Sequence, residues 1–322
     1  MSSLAEHLRV PLADDAEAIA ALFAGGRSLD AREIRSWFGN PSFDPANDFR
    51  ILERGGDVVG YADVHRAVDR LTVDWIAADA AAGHALLDWA EDRARAEAIE
   101  RVVTSAWPGS NVIESVVKAR AFTPFRASLE LQAPLDDATP EPVWPDGVRV
   151  RSARSGEERE VHALGEEAFA DANDFRPTPF EEWTAWWDDE RKRLDLWFAA
   201  EADGSLAGVA LCELERAGSP GLGWLETLAV RRSWRRRGLG RALLFHSFRE
   251  LRRLGRTAVG LSVDSENPTG AVRVYESVGM RPVSRRVLSR SSSPAPPRSR
   301  LAWCITGQGT NGRASRRLDR AA

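Results

Sequence analysis

Between Val230 and Leu244 the sequence reads VRRSWRRRGLGRALL, and six of these fifteen residues are arginine. Arg231, Arg232, Arg235, Arg236, Arg237 and Arg241 collect at the start of a helical pattern in a chain whose net charge is −4. The first turn of a helix has four backbone N–H groups without partners, and the helix dipole adds partial positive charge there. Gly238 and Gly240 let a bulky anion approach that backbone without a Cβ in the way. Guanidinium groups add charge-assisted contacts. The chemistry this arrangement suits is binding of a pyrophosphate. Two common phosphate loops are absent. The chain has only two lysines, Lys118 and Lys192, so no G-x-x-x-x-G-K-[ST] motif forms here, and Gly240 is followed by Arg241, Ala242 and Leu243 rather than completing G-x-G-x-x-G. The pattern present is R-x-x-G-x-G, as Arg235, Gly238 and Gly240.

A second motif lies downstream in LSVDSENPTGAVRVYESVGMRPV, Leu261 to Val283. Asn267 followed by Pro268 predicts a helix N-cap with proline at the first helical position. Ala271, Val274, Tyr275 and Val278 fall on one face of that helix, and Gly279 ends it. R-x-x-G-x-G followed at this distance by N-P-T-G-A-x-x-x-Y-E-x-x-G resembles the GNAT superfamily of N-acetyltransferases. The resemblance implies acetyl-CoA as cosubstrate, with its pyrophosphate on Arg235, Arg236, Arg237, Gly238, Leu239, Gly240 and Arg241. It implies further cofactor contacts at Leu228, Ala229, Val230 and Asn267, with the Leu228 N–H polarising the thioester carbonyl. Tyr275 takes the family's position near the thioester sulfur, where a phenol can protonate the leaving thiolate. Glu226, on the strand that leads into the cradle, is the candidate base that deprotonates the acceptor amine, directly or through water. Each also has a plainer reading: Glu226 as a solvated strand-face carboxylate, Tyr275 as a half-buried aromatic.

The elements that must hold these residues occur twice. HLRVPLADDAEAIAALF and GVRVRSARSGEEREVHALGEEAF each give a short strand and an amphipathic helix. FRILERGGDVVGYADVHR and LWFAAEADGSLAGVALCELER are alternating hairpins turning at Gly55-Gly56 and Asp203-Gly204. LTVDWI and WLETLAV then lead into long helices at Ala80 to Ala98 and Gly238 to Leu254, and a strand, a helix and a closing strand follow each. Both halves read β-α-α-β-β-β-α-β-α-β. The fold class is α/β, two tandem GNAT folds, each a mixed, mostly antiparallel sheet flanked by helices. The divisions are a degenerate GNAT-like domain over 1–135, a linker over 136–147, a catalytic domain over 148–288 and a basic low-complexity tail over 289–322. Aligning Gly83 with Gly240 sets Ala78 and Ala81 opposite Arg235 and Gly238, and Val117 opposite Tyr275. Cradle and acid are both missing from the first half, which reads as a silent domain that shapes the acceptor site.

Composition bounds the rest. No apolar run approaches the roughly 18 residues of a membrane span, and the N-terminus carries charges that do not suit a signal peptide. Two cysteines, Cys212 and Cys304, fit a reducing cytoplasm. The histidines, His7, His65, His84, His162 and His246, show no ligand spacing, and no metal site is expected from them. Trp183, Trp186 and Trp187 have helical spacing suited to core, domain interface or a pocket wall. The tail after Ser289 reads as a solvated basic end or the product of a shifted reading frame. The enzyme expected is an acyl-CoA-dependent N-acetyltransferase acting on a small-molecule or peptide amine. The tandem arrangement also resembles that of mycothiol synthases, which acetylate an aminothiol conjugate. A non-catalytic acyl-CoA sensor or partner-binding protein is the alternative, and nucleic-acid binding fits the net charge least. Neither the acceptor nor the oligomeric state is written in these residues.

Overall fold

The computed structural model describes residues 6–23, 29–66, 69–107, 109–173, 175–187 and 192–291. The first half runs β1 (Glu6–Arg9), α1 (Ala16–Leu22), α2 (Ala31–Phe38), β2 (Phe49–Arg54), β3 (Asp57–Arg66), β4 (Arg70–Ala77), α3 (Ala80–Ala96), β5 (Arg101–Ala106), α4 (Asn111–Ala119) and β6 (Thr123–Pro134). The second repeats the order as β7 (Arg149–Ser152), α5 (Glu158–Phe169), α6 (Phe180–Ala185), β8 (Trp197–Ala202), β9 (Ser205–Glu213), β10 (Leu222–Val230), α7 (Leu239–Arg253), β11 (Ala258–Asp264), α8 (Ala271–Ser277) and β12 (Arg281–Arg290). This is the element order expected from the periodicities. Among the described residues no helix is long and apolar enough to cross a membrane.

The twelve strands form one sheet in the order β1-β2-β3-β4-β5-β12-β6-β11-β10-β9-β8-β7. The sequence reading has each half closing its own sheet, and here the structure differs. The last strand among the described residues, β12, lies between β5 and β6, and β6 in turn pairs with β11. The closing strands are thus exchanged. Burial follows: Leu131, Ala133 and Leu135 of the first half sit in the core beneath α7 with Leu243, Phe248 and Leu251. A strand that offers alternating apolar residues and a free edge is satisfied equally by either neighbour, so local sequence does not choose between them.

Each face of the sheet carries helices from both halves. On one face α7 packs on the apolar sides of β8 to β11, and α3 and α4 pack on β3 to β5. On the other, α5 and α6 cover Val209, Leu211 and Ala229, while α1 and α2 cover Phe49, Ile51 and Tyr61. The proposed linker is docked rather than free. Leu135 N–H donates to Thr257 O at 2.8 Å, Arg249 reaches Thr139 O at 3.1 Å, and Trp144 packs on the core beside His246. The tail boundary also shifts. Ser289 and Arg290 belong to β12, with Ser289 3% exposed and paired to Thr104, because the strand needs them to reach the end of β5. The remainder of the expected tail, 292–322, lies outside the described residues.

Candidate active site

The loop after β10 is built around α7. Gly238 takes a φ of 86° as the N-cap, a left-handed conformation that disfavours any residue with a Cβ. No side chain caps the first turn of α7, and nothing lies within 4 Å of where a Gly238 Cβ would point. Arg236 is also left-handed, with φ 59°. The result is an open helix N-terminus, suited to an anion.

The six arginines divide into two sets. Arg231 pairs with Glu167 at 3.5 Å, and Arg232 donates to Asp171. Arg235 is committed throughout: Nη1 to Asp171 at 2.7 Å, Nη2 to Ala168 O at 2.8 Å and Nε to Val230 O at 3.2 Å. Its own N–H donates to Arg232 O. The Arg235 guanidinium thus straps the loop to the end of α5 rather than extending toward the open helix start. Hydrogen bonds from Arg232 and then Arg235 hold the Asp171 carboxyl below the ordinary carboxylate range. Arg236, Arg237 and Arg241 pair with no carboxylate among the described residues; Arg237 lies over Trp234 and Arg241 over Phe245. These three carry the charge available to a ligand.

Next to the cradle two strands part. β10 and β11 are parallel neighbours only over Leu222 to Trp224, paired with Ala258 to Gly260, although β10 continues to Val230 and β11 to Asp264. Leu228, Ala229 and Val230 therefore pair with β9 on one side and have no strand on the other. The same stretch is bulged against β9 between Leu225 and Thr227, which places Glu226 at the bulge. The bulge also resets which side chains point where. Leu225, Leu228 and Val230 face the α7 core, while Ala229 faces α5.

Glu226 and Tyr275 lie on opposite faces of the sheet, either side of this gap. Glu226 is exposed, points away from the α7 core with Trp224, and accepts a hydrogen bond from Trp224 Nε1 at 2.9 Å. Its other oxygen takes no hydrogen bond among the described residues. Tyr275 is 9% exposed on α8, in the core that α7 covers. Burial pushes its phenol up to about 12, so it stays protonated at any working pH. Asn267 departs from expectation. The helix begins only at Ala271, behind a left-handed Gly270, and Asn267 Oδ1 instead accepts from Thr269 N–H at 2.9 Å in the preceding turn. Pro268 and Thr269 tighten that turn, so Asn267 caps a loop and not α8.

Glu226 opens into a cavity of about 620 Å³ on the α5 face, lined by both halves. The second half contributes Arg216, Trp224, Leu225 and Ser262, and the first contributes Glu33, Trp37, Phe43, Asp63, His65 and Asp74. Of the tryptophan cluster, Trp183 and Trp187 pack against Trp197 in the core, while Trp186 lines the cavity opposite Phe43. Register gives the cavity a pseudo-symmetric floor. Asp74 is four residues beyond the first β4–β5 pair, Arg70 with Arg101, and Glu226 is four beyond the first β10–β11 pair, Leu222 with Ala258. The first half thus keeps a carboxylate where the second has its candidate base.

It does not keep the cradle. The N-terminus of α3 is filled by its own Asp79, which accepts from Ala82 N–H at 2.9 Å and from Arg54 at 2.6 Å. Gly83, opposite Gly240, serves packing: a Cβ there would meet Trp75 at 2.7 Å. Val117, opposite Tyr275, is a buried core residue. An Asp cap was readable at Asp79, three residues ahead of the first buried alanine, but its meaning as a plug emerges only from the Arg54 contact.

Residues 161–280 match the acetyltransferase (GNAT) family. A GCN5-related N-acetyltransferase from Sphaerobacter thermophilus superposes with a TM-score of 0.69 at 30% identity, covering 90% of this chain and 97% of that one. The chain belongs to the GNAT family of acetyltransferases. A tandem GNAT protein from the clavulanic acid biosynthesis pathway shares the fold, with a TM-score of 0.68 at 18% identity over 91% of this chain and all of that one. The chain is also similar to the mycothiol acetyltransferase of Thermobispora bispora, 35% identical over 169 residues. That match spans 49% of this chain and 55% of the relative.

Proposed function

We propose that the chain transfers an acetyl group from acetyl-CoA to a primary amine, with the reaction in its second half and the acceptor held between the halves. The observation that carries the reading is the parting of β10 from β11 beside an uncapped, glycine-led α7, with a carboxylate and a buried phenol on either side of the gap. The cradle fits a pyrophosphate: three arginines there have no carboxylate partner among the described residues, and Gly238 leaves its backbone bare. The edge of β10 beyond Trp224, which has no strand beside it among the described residues, can hydrogen-bond the amide-bearing pantetheine arm as a strand would. The family's cosubstrate brings an activated acyl thioester.

Glu226, steadied by Trp224 and facing the cavity, takes the proton from the acceptor ammonium so that the neutral amine can attack. The Leu228 N–H would donate to the carbonyl oxygen as negative charge develops on it. Tyr275 donates its phenolic proton to the departing thiolate and recovers one from solvent. Because the two groups stand on opposite faces, acceptor and thiolate need not share one side of the sheet. The first half, with its helix terminus plugged by Asp79, acts as acceptor wall rather than as a second catalytic centre.

An aminothiol conjugate, of the kind the mycothiol acetyltransferase relatives suggest, is the narrower acceptor reading, and the cavity, lined by both aromatic and charged side chains, is large enough for a sugar-sized substituent. A cytoplasmic enzyme fits the free, buried Cys212. Calorimetric titration of acetyl-CoA, with thiol release followed over an amine panel, tests the proposal. One site per chain and amine-dependent release of CoA thiol are expected. Two equal sites would overturn the silent first half, and binding without release to any amine would favour a sensor.

A further inference from the structure

The cavity beside Glu226 is lined by two arginines, Arg216 and Arg286, that the transfer step does not use. Neither side chain makes an ion pair or a hydrogen bond among the described residues. Each rests on an indole: the Arg216 guanidinium is 4.2 Å from the Trp224 ring centre, and that of Arg286 is 5.0 Å from Trp107. A flat ring holds a guanidinium in place without neutralising it.

Arg286 is the sharper case. Its Nε is buried and has no hydrogen-bond partner among the described residues. Arg126, Arg231, Arg252 and Arg256 also bury an unpartnered Nε, yet each reaches a carboxylate, on Asp264, Glu167, Asp137 and Glu215 respectively. Arg286 reaches none. Asp63 and Asp74, which line the same cavity, are held instead by His65 at 3.1 Å and by Ser105 Oγ at 3.1 Å. A buried donor on a charged group is costly to leave unpaired, and this one calls for an anion supplied from the cavity.

Strand order brings Arg286 there. β12 lies beside β5, which Trp107 follows. Alternation turns Arg285 and Val287 to a separate hollow beside α4 and leaves Arg286 in the acceptor cavity. Between β12 and β10, which carries Glu226, stand β6 and β11. Three strand spacings of about 4.8 Å put roughly 14 Å between the two backbones.

We infer that the acceptor carries an oxyanion, carboxylate or phosphate, several bonds from its amine, and that Arg286 receives this group while Glu226 faces the nitrogen. The inference rests on the acyl-transfer reading, which makes Glu226 the amine end. The planar fork of arginine matches either oxyanion with paired hydrogen bonds. Arg216, on the indole that bonds Glu226, lies at the amine end and is left out of the assignment. An aminothiol conjugate meets the requirement only if it bears such an anion.

The test reads binding, so it does not depend on turnover. The full chain, in excess CoA, is titrated calorimetrically with 6-aminohexanoate against 6-aminohexanamide, and with 6-aminohexyl phosphate against 6-aminohexanol. At least one anion should bind about tenfold or more tightly than its neutral partner, and which one does so separates carboxylate from phosphate. Arg286→Gln, its fold checked by thermal melting, should lose that preference with CoA affinity unchanged. No binding of either anion at millimolar concentration, no preference over the neutral partner, or a preference kept by folded Arg286→Gln would each overturn the inference. If Arg286→Gln does not fold, Arg286→Lys decides: without the fork it should bind the anion more weakly, and an unchanged affinity overturns the assignment. Thiol release from acetyl-CoA separates this inference from the reading beneath it. Anion preference without release to any amine would count against acyl transfer and not against the Arg286 site, whereas amine-dependent release indifferent to the anion would overturn the inference alone.

Discussion

Gly238 and Tyr275 bear opposite kinds of constraint. At Gly238 the backbone is what the proposed cradle uses, because φ is 86° and no side chain caps the helix start. Gly238→Asp sets both a Cβ and a negative charge in the cradle, and acetyl-CoA binding measured by calorimetry should be abolished while the melting temperature falls only slightly. At Tyr275 the proposed reaction uses a single polar atom. Tyr275→Phe keeps the packing and should lower kcat by roughly 10²–10⁴ with acetyl-CoA affinity nearly unchanged; an unaltered kcat would remove the phenol from the reaction. The placement of both residues, at a helix start and on a helix face, was legible because the signals are local: a glycine pattern and a helical periodicity. Arg235 was not, since its partner Asp171 lies 64 residues earlier and nothing near Arg235 announces it. Arg286 escaped for a related reason. Nothing beside it in the sequence shows that β12 lies against β5, and its place in the cavity depends on that register.

At the scale of elements, the cradle depends on α5 as much as on α7. Arg232 and Arg235 both close on Asp171, just beyond the end of α5, so the loop is tied to a helix on the opposite face of the sheet. Asp171→Asn should loosen that tie and weaken acetyl-CoA binding several-fold in calorimetry. Its effect on stability has a defined pH range. The folded carboxyl is depressed by Arg232 and then Arg235, so the stabilisation is present above the ordinary value of 3.8 and lost as pH falls through the lower folded value. The melting temperatures of wild type and Asp171→Asn should therefore differ near neutrality and converge in strong acid. The elements themselves were readable because turn glycines and two distinct periodicities mark them. The start of α8 was misplaced because Asn-Pro signals a cap, yet here it serves the turn before the helix.

For the whole molecule, the exchange of β6 and β12 governs cohesion. Each half borrows its closing strand's neighbour from the other, and the core under α7 contains Leu131 and Ala133 from the first half. Heat or urea should unfold the chain in one cooperative transition seen alike by tryptophan fluorescence and circular dichroism. Two separated transitions would mean that the halves are independent after all. Which strands pair across the repeat was not legible, because both closing strands offer the same alternation to the same kind of edge. The arrangement also fixes when folding can finish. On the ribosome, β5 and β6 emerge early, but β12, the strand that fills the space between them, is nearly the last described segment to be made. At about 5–20 residues per second the nascent chain waits on the order of ten to thirty seconds with two strand edges open. During that interval an unfinished chain can pair with another unfinished chain as readily as with its own future end. Protein yield should therefore be more sensitive to translation speed and to the crowding of ribosomes on one message than the stability of the finished protein would suggest.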